Sequence, residues 1–186
     1  MKELSLNILD IVENSVKAGA ANIGIELDER EEGQLILTIS DNGCGMEEHI
    51  LRGVTDPFYT TRTTRPVGMG LSLLKLAAEQ TGGSMTVESV SEKVSPDRHG
   101  TVVRAVFHTD HIDCVPLGDV TATLVTLIQG SPDIDFHYVH MIGDSIVELD
   151  TIQMREVLED VPLNSFEVLQ WIEASVNEQY AGIHNQ

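Results

Sequence analysis

Before residue 108 the hydrophobic pattern alternates between helix and strand periods in an order that leaves few architectures open. Apolar residues at Leu4, Ile8, Ile11, Val12 and Val16 recur at helical spacing. Alternation then takes over at Ile23, Ile25 and Leu27 and again at Leu35, Leu37 and Ile39, the mark of two half-buried strands joined by the polar turn 28–33. Residues 41–70 are rich in Gly, Thr and Pro, with a short helical piece near 47–53. A connection of that length in a compact domain is usually functional. A second helix runs through Leu71, Leu74, Ala77 and Ala78 and stops at Gly82-Gly83. Met85 and Val87, then Val103, Ala105 and Phe107, alternate as two more strands about a loop holding Pro96 and Gly100. Helix, two strands, loop, helix and two strands predict an α+β fold, a two-layer α/β sandwich with helices on one face of a mixed sheet.

The pattern restarts around residues 108–118. A helix is expected over 117–128 and a hairpin over 134–140 and 145–150, turning at Ile142-Gly143-Asp144. Asp150 is placed to cap a helix at 151–159, and Asn164 another at 165–178. The expected organisation is a domain over 1–108 and a small α/β C-terminal extension over 109–186, which carries no functional motif.

Composition narrows the classes of function. Thirty acidic residues against eleven basic give a formal net charge of -19, a surface that repels nucleic acid and anionic lipid. Two cysteines, Cys44 and Cys114, are too few and too far apart for a disulfide framework or a zinc site. Apolar runs stop well short of the roughly 20 residues of a membrane span, and residues 1–15 carry acidic side chains where a signal peptide needs an apolar core. A cytoplasmic protein is expected.

Four stretches carry chemistry. On the first helix Asp10 and Asn14 are four apart and share a face, so a carboxylate and a carboxamide can together hold a hydrated Mg²⁺ and orient a water, while Glu13 points elsewhere. Asp41-Asn-Gly43-Cys-Gly45-Met46 follows a strand; its carboxylate suits an exocyclic amine such as adenine N6, and its glycines permit a sharp turn and a close approach to a flat ligand. Pro57-Phe-Tyr-Thr-Thr-Arg62 with Arg65 supplies hydroxyls and guanidinium groups for phosphate oxygens. Gly68-Met-Gly70-Leu71 opens a helix whose first N–H groups form an anion site. Neither glycine stretch fits a P-loop or a Rossmann turn.

None of these is specific alone, but their order and spacing are. LDIVENSVKAGA, DNGCGM after a strand, DPFYTTR and GMGLSL opening a helix resemble the N, G1, F and G2 boxes of the GHKL superfamily, the ATP-binding fold of DNA gyrase, Hsp90, histidine kinases and MutL. TGGSMTVES and HGTVVRAVF look like the closing segment of histidine-kinase catalytic domains. The resemblance covers roughly residues 1–108.

The resemblance implies that Asn14 ligates Mg²⁺ and that Asp41 binds the adenine amine. Gly45 and Thr101 would line the base pocket, with Gly43 and Met46 counted among the nucleotide-binding residues of the same loop. Phe58, Thr61 and Arg62, on the loop running to Arg65, would belong to the ATP lid. Gly68, Gly70 and the Leu71 amide would meet phosphates, and Lys17 would touch one. Hydrolytic members carry glutamate where this chain has Asp10. A shorter carboxylate misplaced by about 1 Å can cost roughly 10²-fold, so slow turnover is expected. No helix pair bearing a phosphoacceptor histidine is evident before the first motif, and a stand-alone module is expected. Three functions remain open at this stage. One is a Mg²⁺-dependent slow ATPase serving as a nucleotide-controlled regulator that a protein partner reads. The second is a protein kinase, either an anti-sigma-type serine kinase or a histidine kinase acting in trans. The third is a non-catalytic ATP-binding subunit of a larger complex.

Overall fold

The computed structural model describes residues 3–54 and 69–184. Helix α1 (Leu4–Lys17) leads into strands β1 (Asn22–Glu29) and β2 (Gln34–Asp41) and the one-turn helix α2 (Glu48–Leu51). Then come α3 (Gly70–Gln80), β3 (Ser84–Val90), β4 (Gly100–His108) and α4 (Val120–Gly130). The chain continues through β5 (Asp135–Ile142), β6 (Ser145–Asp150), α5 (Thr151–Leu158) and α6 (Phe166–His184). The described strands form one mixed sheet in the order β3-β4-β2-β1-β5-β6, antiparallel throughout except where β5 lies parallel to β1. The α+β sandwich expected from the hydrophobic pattern is what the chain forms.

One face of this sheet is buried, and the strand period decides which. Ile23, Ile25 and Leu27 of β1, Leu35, Leu37 and Ile39 of β2, and Val103, Ala105 and Phe107 of β4 point to the same side, each at most 3% exposed. Phe136 and Tyr138 of β5 and Val147 and Leu149 of β6 continue that face. Over it lies α1, which buries Leu4, Ile8, Ile11 and Val12 and packs against both α3 and α4. Helix α6 packs on α4 and β6, burying Val168, Leu169, Ile172 and Val176.

The residues beyond 108 thus extend the same sheet and the same helical layer. A polar cluster ties α6 to the strands beneath it. Tyr138 Oη lies 2.5 Å from Tyr180 Oη, Tyr180 Oη lies 2.8 Å from His140 Nδ1, and His140 Nε2 lies 2.9 Å from Glu29 Oε1. With a neutral imidazole every donor is used: Nε2–H donates to the carboxylate, Tyr180 donates to Nδ1, and Tyr138 donates to Tyr180. Burial pushes both phenols up, Tyr180 to about 12. At the sheet margin the Gln179 amide accepts the Glu148 N–H at 2.9 Å and donates to its carbonyl at 3.1 Å. That contact occupies backbone groups of β6, an edge strand that could otherwise recruit another chain.

Helices α4 and α6 differ most from the sequence expectation. Helix α4 begins at Val120, not 117, because Asp119 caps it, accepting the Ala122 N–H at 2.8 Å, and Gly118 turns the chain with φ +79°. Helix α6 begins after Ser165, one residue beyond the expected cap, and continues past 178 to His184.

Candidate functional site

Strand register assembles the centre of the site. Asp41, the last residue of β2, pairs with Thr101 of β4, and Thr101 pairs with Ser89 of β3. The three side chains therefore form one row on the helix-covered face. Ser89 Oγ donates to the Gly100 carbonyl at 2.9 Å, so its lone pairs receive the Met46 N–H at 2.8 Å and the Thr101 hydroxyl at 2.9 Å. This hydroxyl pair fixes the start of β4 against the loop after β2.

Both Asp41 oxygens are engaged. Oδ1 accepts the Gly43 N–H at 2.9 Å, and Oδ2 accepts the Ser15 hydroxyl of α1 at 2.6 Å. Each oxygen keeps a second lone-pair direction, so the carboxylate is held in orientation yet can still accept a ligand N–H. Ser15 escaped sequence reasoning, although a signal existed: it is a polar residue, 4% exposed, in the stripe that Ile8, Ile11 and Val12 make apolar.

The loop 42–46 is bonded on two sides. Cys44 N–H reaches the Ala18 carbonyl at the end of α1, and the Cys44 carbonyl receives the Glu92 N–H after β3, both at 2.9 Å. His99 Nδ1 lies 2.6 Å from the Gly43 carbonyl, an acceptor, so this nitrogen carries the proton. Gly45 has φ +64°, and a Cβ there would lie 1.9 Å from the Val90 carbonyl oxygen. The space a side chain would take is thus filled by protein backbone. A Cβ on Gly43 would stand 2.9 Å from Ala18 Cβ and 3.1 Å from Asp41 Oδ1.

The second half of the site lies between α1 and α3. Gly70 opens α3, and a Cβ on it would be 3.2 Å from Asp10 Cβ and 3.8 Å from Asn14 Nδ2. The structure therefore brings Asp10, Asn14 and the first turn of α3 together. Leu71, 5% exposed, anchors that turn in the core. Lys17 stands apart: its side chain is 70% exposed and pairs with Glu13 at 3.4 Å. Glu13 is exposed as its helical position requires. Phe58, Thr61, Arg62, Arg65 and Gly68 fall outside the described residues.

The donor set bears on the expected Mg²⁺. Among the described residues no group of three or more His, Cys, Asp or Glu side chains could hold a metal ion. What is present is one amide oxygen, on Asn14, beside one carboxylate, on Asp10. Mg²⁺ is commonly bound through one or two protein oxygens, with waters and substrate phosphates completing its octahedron, so this pair fits an ion that arrives with a nucleotide.

Residues 2–111 match the family model described as histidine kinase-, DNA gyrase B-, and HSP90-like ATPase. The chain belongs to this family. It is 41% identical over 59 residues to the mismatch repair endonuclease PMS2 of Homo sapiens, a match covering 32% of this chain and 7% of that protein. Over 101 residues it is 32% identical to the tetrathionate sensor histidine kinase TtrS of Salmonella typhimurium, covering 54% of this chain and 16% of that one. The chain thus spans only a small part of these relatives' length. Among solved structures, the Aquifex aeolicus MutL ATPase domain complexed with ADP aligns with a TM-score of 0.56 at 13% identity, over 86% of this chain and 70% of that chain. Coverage of 86% is more than residues 2–111 supply, so the likeness of fold extends into the C-terminal third. No described helix is long and apolar enough to cross a membrane.

Proposed function

We propose that this chain binds ATP with Mg²⁺, hydrolyses it slowly, and acts in the cytoplasm as a nucleotide-controlled module that a protein partner reads. The observation that carries the proposal is the Asp41 carboxylate, oriented by Ser15 and Gly43 and set in a row with Thr101 and Ser89. A fixed acceptor at a strand end suits the exocyclic amine of a base, and the ADP held by the MutL neighbour supports the same ligand class. Asn14 would hold Mg²⁺, which when bound offsets phosphate charge. The opening N–H groups of α3 at Gly70 and Leu71 would receive phosphate oxygens.

Asp10 is the candidate base. It lies on the face of α1 that meets Gly70, so its carboxylate can take a proton from a water held beside the phosphates. Its side chain is one methylene shorter than a glutamate, which supports slow rather than rapid turnover. The test is Asp10→Asn, followed by phosphate release and nucleotide binding. Loss of release with binding retained supports catalysis by Asp10. Release and binding both unchanged would refute Asp10 as the base, and binding without release in the unmodified chain would leave a binding module.

A further inference from the structure

Helix α1 carries Asp10, Asn14 and Ser15, so anything that sets its axial position sets the site. Its N-terminus has no side-chain cap: Glu3 precedes it in extended conformation and makes no capping bond. The first N–H groups of a helix have no partner within it and must find one elsewhere. Here the partners come from more than a hundred residues downstream. Leu4 N–H donates to the Pro116 carbonyl at 3.0 Å, and Ser5 N–H donates to the Leu117 carbonyl at 2.8 Å. Gly118 closes this strap with φ +79°, and a Cβ there would meet Glu3 Oε2 at 2.4 Å and Ser5 Oγ at 2.5 Å. Thr123, in the first turns of α4, directs its hydroxyl to the Asp119 carbonyl at 3.1 Å and shares it with the Ser5 carbonyl at 3.4 Å.

We propose that the 116–118 strap is a positioning element for the nucleotide site: it clamps the start of α1 and so couples the C-terminal third to nucleotide binding. The inference rests on the nucleotide reading above. Its backbone bonds run to Leu4 and Ser5, so among the described residues it acts on the site through the helix. Coupling of this kind is reciprocal, so bound nucleotide must in turn tighten the clamp.

The test uses the full chain, ADP with Mg²⁺, and amide hydrogen exchange. In the unmodified protein, saturating ADP should slow exchange at the Leu4 and Ser5 amides. Gly118→Ala should speed exchange at both and weaken ADP binding by about five-fold or more, at temperatures where the variant remains cooperatively folded. A merely structural contact would lower the melting temperature and leave the affinity alone. Should Gly118→Ala fail to fold, Ser5→Pro replaces it, since proline is tolerated in a first helical turn; it removes the N–H that reaches Leu117 together with the hydroxyl that reaches Glu3. Faster exchange with unchanged ADP affinity overturns the proposal and leaves the nucleotide reading intact. Failure of the unmodified chain to bind ADP overturns that reading, and the proposal with it.

Discussion

Removing the Ser15 hydroxyl separates orientation of Asp41 from its charge. Ser15→Ala deletes a bond of 2.6 Å to a carboxylate from a residue that is 4% exposed. Hydrogen bonds to charged groups contribute about 1.5–3 kcal/mol, and since this one exists without ligand, most of that loss should appear as stability. Binding is affected through a smaller channel. With Oδ2 released, the carboxylate is held only by the Gly43 N–H and must be reordered when a ligand docks. Immobilising a side chain costs roughly 0.5–1.5 kcal/mol, which converts to about a two- to twelve-fold weaker dissociation constant. Urea denaturation followed by calorimetric titration with ADP and Mg²⁺ measures both quantities on one preparation. A variant as stable as the parent that binds equally well would refute the reasoning. So would one that is fully folded but binds nothing, since that would give Ser15 a direct part in ligand contact.

Gly45→Ala should destabilise the fold by about 1–3 kcal/mol or more, since it places a side chain at φ +64° and into the Val90 carbonyl; a urea midpoint unchanged from the parent would contradict that packing. Tyr180 should resist ionisation until about pH 12, because burial, with the Glu29 charge behind it, favours the neutral phenol against the smaller opposing effect of the Tyr138 bond. Its pKa is raised on folding, so its contribution to stability is whole below the ordinary tyrosine value of 10.0 and fades as pH rises toward 12. Ultraviolet titration of Tyr180→Phe beside the parent isolates that phenol, and a step lost near pH 10 would count against the buried cluster.

Much of the first hundred residues is legible in sequence because the periods are local. The stripe of α1 and the alternation of β1, β2 and β4 each need only a short window, and the turn at Gly143 is marked by its own residue. The site is legible to the same depth: Asp10, Asn14, Asp41 and Gly70 stand in motifs whose chemistry can be named. What stayed hidden depends on distant partners. The pairing of β1 with β5 joins Asn22 to Asp135, and no window contains both. Leu117 and Gly118 read as the start of a helix, yet the Pro116 and Leu117 carbonyls are committed to Leu4 and Ser5. The packing of Gly45 on Val90 is equally distant, because sequence shows that a side chain is absent but not what stands where it would be.

Whether Asp41 is the acceptor for a nucleotide base is decided by isothermal titration with a non-hydrolysable ATP analogue and Mg²⁺. Asp41→Asn keeps an oxygen for the Gly43 N–H and an amide that can donate to Ser15, so the fold should survive while the carboxylate is lost. Micromolar binding is expected of the unmodified chain and none of Asp41→Asn, with both proteins unfolding cooperatively. Binding by Asp41→Asn at the parent's affinity would contradict that role.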